Sequence, residues 1–167
     1  GYTNELSPKV SGIIESRLSN LSKEEKVLLN NISLFIDKAS ISSLINLVTF
    51  DELKIFDIIE SLKEKNIIEE VITDNDIFFS FTHQKIREYV YNKQSYAKKK
   101  NLHEKIGLYF EDCIKSSGNK QLYPNLIYHF EKSQNLIKSF KYKIKNLTDI
   151  YTLYHETYPV FSSSSNY

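Results

Sequence analysis

The feature that most restricts this chain is a change of period after Asn66. Before it, apolar residues recur at helical spacing; over residues 67–81 that spacing is lost, with alternation from Ile77; past residue 94 the helical spacing returns and persists. Ser7-Pro8 supplies a capping hydroxyl followed by proline at the first helical position, with Val10, Ile13, Ile14 and Leu18 along one face. Ser22 with Glu25 three residues on reads as a capping box for a second helix, and Val27, Leu28, Ile32 and Phe35 carry it to about residue 36. Ser40 opens a short third helix. Thr49 or Asp51 opens a fourth, with Leu53, Phe56, Ile59 and Leu62 on one stripe.

The strand candidate Ile67–Ile72 and the alternating run Ile77–Phe81 are separated by the polar turn Thr73-Asp74-Asn75-Asp76 and predict a β-hairpin. Helices followed by such a ribbon give the order of a winged-helix domain, expected over residues 21–94 after a linker helix at 1–20. Three further helices follow. Leu102, Ile106, Tyr109, Phe110 and Cys113 mark the first, which stops at Ser116-Ser117-Gly118; Leu122, Leu126, Ile127 and Phe130 mark the second. After a turn at Ser133-Gln134-Asn135, Leu136, Phe140, Ile144, Leu147, Tyr151 and Tyr154 mark the third.

The expected fold class is therefore mainly α with a small β-hairpin: a winged-helix domain, then an α-helical, tetratricopeptide-like hairpin region over 95–160. The serine run at 162–165 makes 161–167 an expected disordered tail. The hairpin around Ser133 has about the length of one 34-residue repeat, and a single unit of that kind cannot bury its own face. It is expected to lean on the preceding domain or on further helices. The chain starts at Gly1 and contains no methionine, which reads as a piece of a longer protein.

Composition narrows the function classes. Of the 167 residues 41% are apolar and 26% charged, with a net charge of +1, so no overall field points to nucleic acid or a membrane. One cysteine, Cys113, cannot form an internal disulfide and fits a reducing, cytoplasmic setting. No apolar run approaches the roughly 18–20 residues of a membrane span. Glycines stand only at 1, 12, 107 and 118, so no glycine-rich phosphate loop exists. The histidines at 83, 103, 129 and 155 form no local metal-ligand pair, and Cys113 lies on an apolar stripe as a small core residue. No catalytic residue, no metal and no enzymatic activity are expected of these residues.

DNA binding through a winged helix would ordinarily use its third helix, here residues 50–66. That segment carries five acids against three lysines, a net charge of −2, which phosphates would repel. The basic stretch is elsewhere: residues 85–105 hold seven cations against two acids, a net +5. The DNA alternative therefore rests on Lys85, Lys98, Lys99 and Lys100. A third reading is a protein-interaction or self-association surface over residues 121–155, rich in tyrosine at 123, 128, 142, 151 and 154.

"FSFTHQKIREYVY", "KKKNLHEKIGLYFE" and "YPNLIYHFEKSQN", in this order and spacing over roughly residues 21–142, resemble a pattern in bacterial signal-transduction ATPases of the STAND class. Within that class the pattern looks most like transcriptional regulators and adenylate-cyclase-linked regulators. The resemblance implies a non-catalytic regulatory fragment whose winged helix controls an upstream nucleotide-binding ATPase module and links it to downstream helical repeats. In eukaryotic relatives a Met-His-Asp signature stands at this strand-to-helix junction, and its histidine contacts the phosphate of ADP. The residues here are Thr82-His83-Gln84, so only the histidine matches. The resemblance gives His83, with Arg87 one turn on, the part of nucleotide-phosphate sensor in the intact protein. The fragment itself would hold no cofactor; ADP or ATP would sit on the ATPase module. His103 and His129 border apolar stripes and are expected to be structural.

Overall fold

A computed structural model describes residues 7–73 and 76–157, with side chains to residue 152. The turn residues Asp74 and Asn75, the side chains of Tyr154 and His155, and the expected tail at 161–167 lie outside the described residues. Eight α-helices, one short 3-10 helix and three strands follow one another in the described part. Helix α1 (Pro8–Ser19) begins at the Ser7 cap, and α2 (Lys23–Ile32) at a full Ser22/Glu25 capping box. Strand β1 is only Ala39–Ser40; α3 (Ile41–Leu47) and α4 (Glu52–Glu64) follow, capped by Ser40 and Asp51. Strands β2 (Ile68–Ile72) and β3 (Ile77–Phe81) come next. Helices α5 (Gln84–Lys93), α6 (Tyr96–Ser117), α7 (Tyr123–Lys132) and α8 (Leu136–Thr157) complete the order.

The sheet is antiparallel in the order β1-β3-β2, with Ile68 opposite Phe81, Ile72 opposite Ile77 and Ala39 opposite Phe79. A mainly helical chain with a helix–strand–helix–helix–ribbon order and the first strand added to the edge of the ribbon has a winged-helix-like arrangement. Three local expectations need correction. The fourth helix buries Ile55, Ile58, Ile59 and Leu62, and leaves Leu53 and Phe56 of the expected stripe exposed. The sequence predicts a hairpin, but Ala39 and Ser40 add a third strand. The second helix stops at Ile32 rather than near residue 36, because Ser33 begins a turn whose hydroxyl bonds the Asn30 carbonyl. Phe35 still enters the core, from the loop.

Burial explains the element order. Leu28, Leu29 and Ile32 of α2, Leu44 of α3, Ile55, Ile59 and Leu62 of α4, and Phe79 of β3 form one apolar interior. The same interior continues through Ile86 and Val90 of α5 into Ile106 and Phe110 of α6, Phe130 of α7 and Tyr142 of α8. No apolar break separates the sheet-bearing part from the helices behind it. Helix α1 is pinned from its polar side, where Arg17 donates to the carbonyl of Asn66 at 2.7 Å. Gly107 allows α7 to come close: a Cβ there would lie 2.8 Å from the fully buried Phe130 ring.

Glu25 ties the first helices together. One carboxylate oxygen accepts the Ser22 backbone N–H at 2.7 Å, and the other accepts the Ser61 hydroxyl at 2.6 Å and the Lys65 ammonium. Burial opposes ionisation of Glu25, but the Lys65, Ser61 and Ser22 bonds outweigh it and hold the carboxyl below its ordinary range. Glu25→Ala removes a helix cap and leaves Ser61 without its acceptor. We expect it to lower the unfolding free energy by about 2 kcal/mol, read from the midpoint of urea denaturation, with Glu25→Gln losing less.

Candidate functional site: a buried histidine pair and an exposed helix start

Helices α5, α6 and α7 meet around two imidazoles. His103, on α6, and His129, on α7, are both buried, with their Nδ1 atoms 2.9 Å apart. Two nitrogens at that distance share one proton, so one ring is the Nδ1–H tautomer and the other the Nε2–H tautomer. The Tyr91 hydroxyl of α5 lies 3.2 Å from His103 Nε2 and fixes the outer end of the chain. If Tyr91 donates, His103 donates to His129; if Tyr91 accepts, the order reverses. Aromatic rings close the surroundings: Phe35 and Tyr128 meet the His129 ring edge-on at 5.4 and 5.0 Å, and Phe110 lies 5.8 Å away.

The pair is held neutral. Desolvation, reinforced by Lys132 and Lys99, pushes His103 down to about 4; desolvation and then His103 itself push His129 well below its ordinary value. Nearby cations strengthen the effect. Lys99 lies over the Tyr91 ring at 4.5 Å, and Lys132 near the Tyr128 ring at 5.6 Å. Burial likewise raises the Tyr91 and Tyr128 phenols, so neither supplies a compensating negative charge. Both histidines are structural in position, as the apolar stripes suggest, but they also touch each other across 26 residues of sequence.

The nucleotide-sensing residues expected from the resemblance are placed differently from one another. His83 is exposed in the N-cap position of α5, and its side chain makes no capping bond. Arg87 faces the interior side of the same helix. Its Nε donates to the Phe35 carbonyl at 3.0 Å, and the guanidinium also bonds Tyr128. The basic residues of the DNA alternative are spread over several surfaces. Lys85 pairs with Glu88 at 3.1 Å, Lys99 covers Tyr91, Lys98 lines a groove beside α1, and Lys100 lines another beside the α7–α8 turn. The described tyrosines of 121–155 do not form one surface either: Tyr123 and Tyr142 are buried against each other at 5.8 Å, Tyr128 is half-buried, and Tyr151 is exposed. Among the described residues, no group of three or more His, Cys, Asp or Glu side chains is arranged to hold a metal, and no helix is long and apolar enough to cross a membrane.

Helix α8 is amphipathic in an unusual sense. The side against α7 carries Ser139 and Tyr142, both buried, with Asn146 and Asp149 half-buried. The other side exposes Ile137, Phe140, Ile144 and Leu147 at 85%, 65%, 49% and 65%. Polar and charged groups tie α8 and the turn before it to α6: Glu111 accepts from Tyr142 at 2.6 Å and Lys138 at 2.8 Å, and Glu104 accepts from Ser133 and Asn135.

Comparison with known proteins adds a structural likeness. No family model matches the sequence, and no curated protein matches it. Among solved structures, the organohalide-sensing RdhR transcriptional regulator in its ligand-free form is similar at 13% identity with a TM-score of 0.40, over 95% of this chain and 83% of that one.

The neutral pair links stability to pH with a definite sign. The folded-state values lie below the ordinary histidine value, so the unfolded chain takes up protons first as pH falls. Stability is full above about pH 6.5 and declines towards pH 4, by on the order of 3 kcal/mol for His103 alone. Urea midpoints measured from pH 7.5 to 4.5 should fall accordingly. In the double variant His103→Leu, His129→Phe the fall over that interval should be much shallower.

Proposed function

We propose that this chain is a non-catalytic regulatory segment of a larger bacterial signalling protein, in which the winged-helix-like part clamps a nucleotide-binding ATPase module and the helices behind it continue into helical repeats. The observation that carries the reading is His83. It stands exposed at the start of α5 with its ring uncommitted, where backbone N–H groups and positive potential favour an anion. The same helix is attached to α6 and α7 through Tyr91 and the histidine pair. A contact made at His83 therefore bears on a helix whose other side is fixed to the helical region. Arg87 contributes by anchoring α5 to the Phe35 loop; in this reading it positions the helix while His83 meets the phosphate.

The outward apolar side of α8 supports the second half of the proposal. A helix that turns Ser139 inward and Ile137, Phe140, Ile144 and Leu147 outward is suited to receive a following helix. The exposed side of α4 favours protein contact over DNA. It presents Leu53 at 77% exposure and Phe56 at 39%, among Glu52, Asp57, Glu60 and Glu64. An acidic, partly apolar helix repels phosphates and suits a protein surface.

In the parent protein, His83→Ala should weaken ADP retention by about 5- to 150-fold, the range of ordinary allosteric couplings, while leaving the helix content and unfolding midpoint unchanged. Unchanged ADP affinity and output would remove the clamp. A fluorescence titration of this chain with duplex DNA at low salt should show no binding at micromolar concentrations; micromolar affinity with a steep salt slope would favour the DNA reading instead.

A further inference from the structure

Between the sheet side of the molecule and helices α6 and α7 lies a cleft of about 610 Å³, within the size range of small-molecule sites. Its lining comes from five places: the loop after α2, β1 with the start of α3, β3 with Thr73 and Asp76, α6, and α7 with the segment leading into it. The floor is aromatic, with Phe35, Phe110 and the His129 ring, and Tyr109 and Tyr128 stand at its sides. The charged groups on the rim are Asp37, Asp76 and Lys38. The Lys38 ammonium is drawn over the Phe78 ring, 4.3 Å from its centre, and neither aspartate is in an ion pair with a described residue.

We propose that this cleft is a binding site for a small organic cation with a flat apolar body, of the aromatic-amine class. The chemistry follows from the lining. Two carboxylates facing a single lysine leave the rim net negative, which attracts an ammonium group, while the Arg87 guanidinium is not part of the lining and is already bonded to the Phe35 carbonyl and Tyr128. Phenyl and phenol faces supply both apolar area and the negative quadrupole that a cation prefers. An anionic ligand would meet two aspartates. A purely apolar one would leave the Asp37 and Asp76 carboxylates without a counter-charge and cover the Asn125 and Gln121 amides. The Tyr109 phenol lies within reach of Ser43 and Cys113 and feels the Asp76 charge, so a donor group entering beside Asp76 also meets a hydroxyl.

The cleft also reaches the histidine pair. His129 uses Nδ1 on His103 and lines the cleft, so its occupied and empty states bear on the same hydrogen-bonded chain that ends at Tyr91 of α5. This site stands apart from the nucleotide reading: it needs neither His83 nor an ATPase module.

The test is a titration of this chain with 2-phenylethylamine, followed by backbone amide NMR shifts, with phenylacetate as the anion of matching shape and 2-phenylethanol as the neutral one. We expect the amine to bind with a Kd on the order of 0.1–1 mM and to move the amides of residues 37, 76, 109, 113 and 129. Asp37→Asn should weaken it by about fivefold and Asp37→Asn with Asp76→Asn by more, since each removes one full charge. Asp37 is exposed, so its variant tests the charge without disturbing the interior. Equal binding of phenylacetate or phenylethanol, shifts confined to other surfaces, or no shifts at millimolar amine would overturn the proposal.

Discussion

The interior depends on a hydrogen bond that has no water to fall back on. Burying an imidazole without a partner costs several kcal/mol; burying two that satisfy each other avoids most of that cost only if their geometry is kept. The 2.9 Å contact between His103 and His129 therefore fixes the register of α6 on α7 more tightly than apolar packing would. Apolar side chains can slide and repack at modest cost, whereas a shared proton cannot stretch. Gly107 reinforces the constraint, because it permits the ring of Phe130 to approach the α6 backbone at a distance where any side chain would intrude. Tyr91 then extends the fixed geometry to α5, and through α5 to the sheet.

Much of this architecture is legible in the sequence where the signals are local. Ser7-Pro8, Ser22 with Glu25, Ser40 and Asp51 mark helix starts because a capping hydroxyl or carboxylate acts within three residues of itself. The β2–β3 ribbon is legible because alternation with a period of two cannot serve a helix. Strand β1 is not legible: two residues, Ala39 and Ser40, carry no period, and only the neighbouring Phe78 and Phe79 make them a strand. Phe35 misleads by extending the helical stripe beyond the turn at Ser33.

The candidate site was harder to read, for a physical reason. Each of His103 and His129 can be placed on an apolar stripe from spacing alone, yet their contact joins positions 26 apart on different helices, and no local rule carries that information. Arg87 shows the same limit. Its place one turn after His83 suggests a shared face, but His83 is the N-cap with extended backbone, so helical spacing does not set its side chain. The Phe35 carbonyl, freed by the early end of α2, captures the guanidinium on the inner side. The cleft beside His129 was invisible for a related reason, since its lining is gathered from five separated stretches of chain.

The two ends of α5 now have distinct physical characters. At the start, His83 meets solvent with no partner of its own. One turn on, Arg87 is tied to a loop carbonyl, and two turns on, Tyr91 enters the histidine chain. A force applied at the exposed end cannot be absorbed by bending within a ten-residue helix held at both of its inner turns. It must be met by moving α5 as a body against α6 and α7, because shifting only the proton between His103 and His129 would leave an imidazolate beside an imidazolium in a buried site.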